Sequence, residues 1–298
     1  MKLAVAGTIF VDIKGHPLEE FIPAGRNAGK VEEFHGGVGR NIAEDIVNYG
    51  EEAVLISLVD HSGSARAVLD HLKEVGVNTD YIRASERGMG IWLAVFDQTG
   101  EVYANISKRP ELLEICTTLD ESGEKAFADA DAILVETDME EEVLEMIFAL
   151  ADKLGKRVFT VISNMSIARE RIPFIRKSDC FVCNRQEASM LFDDESAQNM
   201  SPSEMLLLLK EKTAEMGIRS MVVTMDKYGA VFASSETGES GICRAEKVNV
   251  RDTTGAGDAF FAGLSMGLAG GKSMAQACSI GTQMAARVIE SQGNVYTG

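Results

Sequence analysis

Cysteines are few in this sequence, and their arrangement excludes a disulfide-stapled fold. There are five among 298 residues, an odd number without framework spacing. Cys180 and Cys183 match a C-x-x-C pattern, but residues three apart on an apolar strand point to opposite faces. No second such pair exists in the sequence, and the four histidines show no ligand spacing. We therefore interpret the cysteines as structural, in a reducing compartment.

Long apolar runs and an excess of positive charge are also missing. No run approaches the roughly 20 apolar residues of a membrane-spanning helix, and residues 1–7 are too short for a signal peptide. The 29 basic against 46 acidic residues give a formal net charge of −17. Because nucleic-acid phosphates are bound by clustered Lys and Arg, this balance argues against nucleic-acid polymers as partners. We expect a cytoplasmic protein without a membrane partner.

The sequence does contain an alternation of apolar strands and amphipathic helices, and most of these helices end at a glycine. Predicted strands cover residues 2–7, 53–59, 132–135, 157–162, 180–183 and 220–224. Predicted helices cover residues 39–49, 65–75, 141–154, 203–216, 259–268 and 275–289. Helical crossovers between apolar strands are typical of a parallel sheet covered on both faces. We predict one α/β domain over residues 1–298, with a doubly wound, mostly parallel sheet.

Two segments interrupt this alternation. Residues 10–35 and 86–106 carry period-two patterns with glycines, for example Met-Gly-Ile-Trp-Leu-Ala-Val-Phe at 89–96. Such patterns are typical of antiparallel strands. They predict a small β-sheet outside the main sheet, and no linker or repeat indicates a second independent domain.

The strongest signal is Arg-Asp-Thr-Thr-Gly-Ala-Gly-Asp at 251–258, between a strand-like run and an apolar helix. Gly255 and Gly257 let the backbone turn tightly and approach a ligand. The first amides of a helix lack internal partners and attract anionic oxygen, such as that of a transferring phosphoryl group. Asp258, in the first turn, can accept a proton from an attacking hydroxyl. The alternative is an ordinary N-cap aspartate, but the whole string favours phosphoryl transfer.

This string resembles the C-terminal signature of the ribokinase-like (PfkB) carbohydrate kinase family. Residues 36–43, Gly-Gly-Val-Gly-Arg-Asn-Ile-Ala, are similar to its N-terminal signature, and the resemblance extends over essentially the whole chain. It implies a doubly wound α/β fold with a β lid, and phosphorylation of a sugar or nucleoside hydroxyl by ATP with Mg²⁺. It also implies a homodimer through the lid, Asp258 as catalytic base, and an anion hole formed by Gly255, Ala256 and Gly257.

The resemblance also assigns the substrate side of the site. Asp12, after the first strand, and Asn41 would hydrogen-bond substrate hydroxyls, since a polyol needs both donors and acceptors. Gly36 and Gly37 would let the substrate approach the backbone and would hinge the lid. The alternative roles are a turn aspartate and a helix-entry asparagine.

Cation sites follow from the resemblance as well. Asn184 and Glu187 match the family's Asn-x-x-Glu, which organises Mg²⁺ and phosphate largely through water. A helix capping box is the alternative explanation of this pair. Asp252 and Thr254 match positions near a potassium-type cation found in some members.

The nucleotide side matches the family only in part. Thr224 and Gly229 fit its Thr-x-Gly-x-x-Gly near the adenosine, whereas Asp226 replaces the first glycine. Gly281, in the closing helix, is expected to border the adenine. Ser-Asn at 163–164 stands where many relatives have an acid.

The acceptor is less narrowly implied. The Gly-Val-Gly-Arg-Asn string, with Arg40 in the substrate site, is similar to that of pseudouridine kinases, as are residues 27–30 and 237–241. This resemblance implies the 5′-hydroxyl of pseudouridine as the acceptor. Ribokinase, fructokinase or another nucleoside kinase activity is the alternative. A non-catalytic regulatory protein would lack the aspartate or the glycines, and a hydrolase would need a serine nucleophile elbow, which is not apparent.

Overall fold

The structure is a computed structural model that describes residues 1–163, 167, 169–291 and 293–297. Its strands are β1 (Lys2–Ala6), β2 (Phe10–Pro17), β3 (Gly29–Gly36), β4 (Glu52–Val59), β5 (Asn78–Ala84), β6 (Gly90–Phe96), β7 (Val102–Lys108), β8 (Ala132–Glu136), β9 (Arg157–Val161), β10 (Cys180–Asn184), β11 (Ser220–Thr224), β12 (Ala230–Ser234) and β13 (Ser240–Cys243). Its helices are α1 (Val38–Tyr49), α2 (Gly63–Val75), α3 (Ile115–Ala128), α4 (Glu141–Leu154), α5 (Ile172–Lys177), α6 (Arg185–Phe192), α7 (Pro202–Met216), α8 (Ala256–Ala269) and α9 (Met274–Glu290).

A nine-stranded sheet forms the centre of the molecule, in the order β13-β12-β11-β10-β9-β8-β1-β4-β5. Pairing is parallel from β11 through to β5, and β12 and β13 add an antiparallel edge. The predicted α/β fold with a mostly parallel sheet is confirmed. Because the strands run the same way, residues at their carboxyl ends, such as Ala6, Glu136, Asn184 and Thr224, lie along one edge.

Helices cover both faces of this sheet and bury its apolar strands. In one hydrophobic core, α1, α8 and α9 pack against the strands. In another, α3 and α4 pack against the strands. Helix α4 shows why the pattern specifies this arrangement, because its buried side chains are spaced three or four apart on one stripe. They are Val143, Leu144, Ile147, Phe148 and Ala151. The helix ends at Gly155 in the left-handed conformation, as the sequence predicts.

A separate four-stranded sheet, here called the lid, has the order β3-β2-β6-β7. Its β2–β3 and β6–β7 pairs are antiparallel, but β2 pairs with β6 in parallel. The expected antiparallel pairing is therefore confirmed within each segment, but the pairing between the two segments is parallel. Both β2 and β6 follow a strand of the large sheet and enter the lid from its carboxyl edge, so they run the same way. In the described part of the chain, no helix is long and apolar enough to cross a membrane.

Candidate active site

Asp258 lies in the first turn of α8, at the carboxyl edge of the large sheet. Gly255 precedes the helix with a φ of 79°, a conformation that glycine adopts without strain. Apart from its own helix and chain neighbours, a Cβ placed on Gly257 would meet no described atom within 4 Å. Space is therefore open beside the first turn of the helix. We call residues 252–257, which lead into α8, the anion-hole loop.

Asn41 connects α1 to this carboxylate. Its Nδ2 donates a hydrogen bond to Oδ2 of Asp258 (2.7 Å). The Oδ1 of Asn41 is buried and has no hydrogen-bond partner among the described residues. A buried acceptor of this kind is costly unless a donor reaches it. Asn41 can thus orient Asp258 and accept a hydrogen bond from a substrate hydroxyl.

The pKa of Asp258 is raised to about 6, mainly by burial. The hydrogen bond from Asn41 and the charge of Arg40 oppose this rise, whereas the nearby Asp12 carboxylate adds to it. At neutral pH the group is ionised, with a pKa close enough to pH 7 to exchange a proton readily. These are the properties required of a general base.

Asp12, on β2 of the lid, lies near enough to Asp258 for its charge to act on that carboxylate. Its carboxylate lies against Gly36, where an added Cβ would be 2.6 Å from Oδ2. Gly37 has a φ of 99°, and a Cβ there would be 2.6 Å from the Thr8 carbonyl. Glycine is therefore required at Gly37, and at Gly36 its lack of a side chain leaves room for the Asp12 carboxylate; we call these two residues the lid hinge. Burial raises the pKa of Asp12, and the cations Lys14 and Arg40 oppose the rise.

The Arg40 side chain is buried inside the protein. It is only 2% exposed, and its Nη1 pairs with Oε2 of Glu44 (2.7 Å). Its Nη2 donates hydrogen bonds to the His35 carbonyl and to Oδ1 of Asn294. The guanidinium thus braces the lid hinge from inside the protein, so the expected contact between Arg40 and the substrate does not follow from its position.

Glu136, at the carboxyl end of β8, is a buried residue that the sequence reasoning missed. Its Oε2 accepts hydrogen bonds from the backbone N (2.7 Å) and Oγ1 (2.9 Å) of Thr8. Burial and the neighbouring Asp138 carboxylate raise its pKa to about 8. Ser163 links the two acids through its hydroxyl, and Asn164 lies outside the described residues. An acid at the carboxyl end of an apolar strand was the signal available, but the predicted strand stopped at residue 135.

A Glu136→Gln variant tests this buried acid. Because burial raises the pKa from its ordinary 4.5 to about 8, its favourable contribution to folding is complete below about pH 4.5 and is lost as pH rises through 8. Glutamine stays neutral and keeps an oxygen for Thr8. We expect the variant to melt above the wild type at pH 8.5 and close to it near pH 5. Exposed Glu124→Gln is the control, and a difference that is constant with pH would contradict the prediction.

Asn184 and Glu187 form the capping box of α6, with hydrogen bonds of 2.9 and 2.7 Å. The pKa of Glu187 is raised to about 7 by burial, with contributions from Asp138 and Asp258. Carboxylates that raise each other's pKa concentrate negative charge, which a cation relieves. No cluster of three or more His, Cys, Asp or Glu able to hold an ion occurs among the described residues. The site fits Mg²⁺ that keeps its waters and binds phosphate.

Asp252 shapes the anion-hole loop rather than offering a vacant cation site. Its Oδ1 accepts hydrogen bonds from the backbone N (2.9 Å) and Oγ1 (2.8 Å) of Thr254. The Lys14 ammonium lies 3.7 Å from its Oδ2. Because a positive charge already faces this carboxylate, the residues present do not fit a potassium ion at Asp252.

On the nucleotide side, Thr224 pairs in register with Asn184, which places both at the carboxyl ends of neighbouring strands. Asp226, which replaces the family's glycine, adopts a φ of 49°. An ion pair with Arg185 neutralises its carboxylate. Asp226 thus adopts a left-handed backbone without being a glycine, and Arg185 offsets the charge that would repel phosphate.

Two glycines predicted on the nucleotide side have structural roles. Gly229 has a φ of 95°, and a Cβ there would overlap the Cys243 carbonyl. Gly281 is buried at the α8–α9 contact, where a Cβ would lie 2.7 Å from the Phe260 carbonyl and 3.0 Å from the Phe260 ring. Its contacts are those of helix packing, and a position of Gly281 beside the adenine stays a prediction.

Comparison with known proteins agrees with this geometry. Residues 2–297 match the pattern described as pfkB family carbohydrate kinase. The chain belongs to this family. A guanosine-inosine kinase from Exiguobacterium acetylicum is 34% identical over 294 residues, which is 98% of this chain and 96% of that protein. Pseudouridine kinase from Escherichia coli is 28% identical over 265 residues, covering 88% and 82% respectively.

Solved structures show the same fold. Ribokinase from Giardia lamblia superposes with a TM-score of 0.83 at 17% identity, covering 98% of this chain and 94% of that one. Arabidopsis thaliana ribokinase complexed with ribose and ATP gives 0.82 at 18% identity, covering 98% and 93%. The ribokinase-like family resemblance is confirmed. The chain is a sugar or nucleoside kinase, a phosphotransferase with an alcohol acceptor.

Proposed function

We propose that this pfkB-family kinase transfers the γ-phosphoryl group of ATP to the 5′-hydroxyl of a nucleoside. The observation that carries the proposal is the Asn41–Asp258 pair beside the open end of α8. It combines a base with a pKa of about 6, an unused buried acceptor and the amino-terminal end of a helix. Asp12 of the lid faces this pair from above.

In the proposed mechanism, Asn41 holds the Asp258 carboxylate toward the acceptor, and its Oδ1 accepts a hydrogen bond from a second hydroxyl. Asp258 takes the proton of the attacking hydroxyl as the new P–O bond forms. The amides of residues 256–258 stabilise the transferring phosphoryl oxygens. Mg²⁺, when bound near Glu187, neutralises phosphate charge. Closure about the lid hinge excludes water, which protects ATP from hydrolysis.

Aromatic residues on the lid favour a nucleoside over a free sugar. Phe34 of β3 and Trp92 of β6 pair directly with Asp12 across the sheet, so all three share one face. Two rings flanking a hydroxyl-binding carboxylate give a nucleobase a surface to stack on. A free pentose would leave these rings without a partner.

The base is proposed to be a purine, with guanosine or inosine as the acceptor. The relative named guanosine-inosine kinase supports this choice, because its similarity covers nearly all of both chains. Pseudouridine is the second candidate, supported by the Gly-Val-Gly-Arg-Asn string and by the pseudouridine kinase relative. Arg40 in that string contacts the lid hinge. The string is therefore related more directly to the structure of the hinge than to which base the kinase accepts.

An acceptor panel tests this function. We expect ATP and Mg²⁺ to support phosphorylation of guanosine and inosine with kcat/KM at least ~100-fold above ribose and fructose, since base stacking adds binding energy that free sugars lack. Activity with adenosine, pseudouridine and uridine gives the order of preference among the other bases. The matched control is 5′-deoxyguanosine, which lacks the acceptor hydroxyl and should not be phosphorylated. Ribose turned over as efficiently as every nucleoside would contradict the proposal.

We also propose that the protein forms a homodimer through the lid and is located in the cytoplasm. The lid face opposite Asp12 exposes apolar side chains of Val31, Leu93 and Ile106, with Val31 73% and Ile106 70% exposed. This face supports the proposed homodimer through the lid, since such a surface is favoured in contact with another chain. The free cysteines suit a reducing cytoplasm.

A further inference from the structure

Asn294, in the C-terminal tail (residues 293–297), contacts three parts of the site at once. Its Nδ2 donates a hydrogen bond to the His35 carbonyl (2.8 Å), and its Oδ1 accepts one from Nη2 of Arg40 (3.2 Å). Its backbone carbonyl lies so close to Gly255 that a Cβ on this glycine would overlap it. One residue therefore touches the lid, α1 and the anion-hole loop.

The positions of these contacts make them consequential. His35 is the last residue of β3 before the lid hinge, so its carbonyl moves with the lid strand. Gly255 caps α8, and its φ of 79° sets the direction of the amides that follow. The Asn294 side chain contacts His35, and the Asn294 carbonyl lies against Gly255. A shift of His35 can therefore be passed to the anion hole through this one residue.

The tail itself is fixed by contacts that do not involve the lid. The backbone N of Tyr296 donates to Oδ1 of the buried Asp45 (2.5 Å). Nδ2 of Asn48 donates to the Tyr296 carbonyl (2.7 Å). Because α1 holds the tail at Tyr296, the contacts of Asn294 are not needed merely to keep the tail in place.

We propose that Asn294 is a positioning residue that couples the lid hinge to the anion hole. The amides of residues 256–258 then reach their transfer geometry when the lid lies over the acceptor. The coupling rests on the phosphotransferase activity of the proposed function, but not on which nucleoside is the acceptor. It would link acceptor binding to phosphoryl transfer and disfavour transfer to water.

Asn294→Asp isolates the hinge contact. Aspartate keeps the size of the side chain and an acceptor for Arg40, but its oxygens cannot donate to the His35 carbonyl. We expect kcat to fall ~10-fold or more, because misplacement of the anion hole by a fraction of an ångström weakens transfer. The KM for the acceptor should stay within about threefold. The ratio of acceptor phosphorylation to ATP hydrolysis should also fall.

Asn48→Ala is the matched control, since it removes a hydrogen bond to the same tail without touching the lid. It should lower the melting temperature yet keep kcat within about twofold and the phosphorylation-to-hydrolysis ratio unchanged. Equal losses of kcat and ratio in the two variants would overturn the proposal, because they would assign Asn294 a purely structural role. Wild-type values in Asn294→Asp would overturn it too.

Hydrogen exchange tests the coupling without any turnover, which separates it from the proposed function. In Asn294→Asp, amides of β3 and of residues 253–258 should both exchange faster, whereas in Asn48→Ala the increase should be confined to the tail. Unchanged exchange at residues 253–258 in Asn294→Asp would overturn the coupling, even if the acceptor panel had identified no substrate.

Discussion

Asp258→Asn should reduce kcat by ~10² to 10⁴-fold, because the amide cannot accept the proton of the attacking hydroxyl. The variant keeps an oxygen for the hydrogen bond from Asn41, so acceptor binding should change little. In the wild type, kcat/KM should rise with pH through the Asp258 pKa of about 6 and then level off. Near-normal turnover in the variant would remove Asp258 from the base role.

The stability of the same variant separates lost chemistry from lost folding. Burial raises the pKa of Asp258 from 3.8 to about 6, so its favourable contribution to folding is complete below about pH 3.8 and lost above 6. Asparagine at this position should therefore melt at or above the wild-type temperature at pH 7.5. Asp45→Asn is the matched control, since Asp45 is another buried acid with a raised pKa and contacts the tail. Its kcat should stay within about twofold of wild type, as it touches no reacting atom.

Gly257→Ala should remain as stable as the wild type and yet lose about 10²-fold or more in kcat. Alanine removes backbone freedom from the unfolded chain and suits a helix, which contributes about 0.5–1 kcal/mol to stability. No described atom outside its own helix and chain neighbours lies within 4 Å of the new methyl group. In the proposed mechanism the phosphoryl oxygens lie against these helix amides, so we expect the methyl group to displace them.

Gly255→Ala is the contrasting variant, with kcat and the melting temperature measured side by side. Its φ of 79° strains any other residue, and the new Cβ would overlap the Asn294 carbonyl. We expect a loss of at least about 2 kcal/mol in the free energy of unfolding, together with lost activity. Full turnover in Gly257→Ala would show that the transferring group does not lie against these amides.

The regular parts of the fold could be predicted because local patterns specify them. Strand and helix periodicity and the glycine C-caps indicated the parallel sheet, and the Gly-x-Gly-Asp string indicated which helix end is open. Helix α3, the β12–β13 hairpin and the parallel β2–β6 pair were not predicted. Strand partners in a sheet depend on where the chain enters it, which a period-two pattern does not encode.

The parts of the site that are formed by the backbone could be predicted from the sequence. Gly255 and Gly37 need positive φ angles, and that requirement is visible in the sequence. Arg40 and Gly281 were placed by motif, but the direction of the Arg40 side chain and the neighbours of Gly281 depend on how α1 and α9 pack in the fold. Asn294 was missed because its partners lie more than 250 residues away along the chain.

Two separate segments of the chain form the lid, one containing β2 and β3 and the other β6 and β7. Each segment begins and ends beside the carboxyl edge of the large sheet. Hydrogen bonds between β2 and β6 join the segments into one plate. We expect such a plate to move as a unit rather than strand by strand. Its far tips, at residues 18–28 and 97–101, point away from the anchors. Length can therefore be added or removed at the tips, changing which acceptors fit beneath, while the chemistry at the anchored edge stays constant.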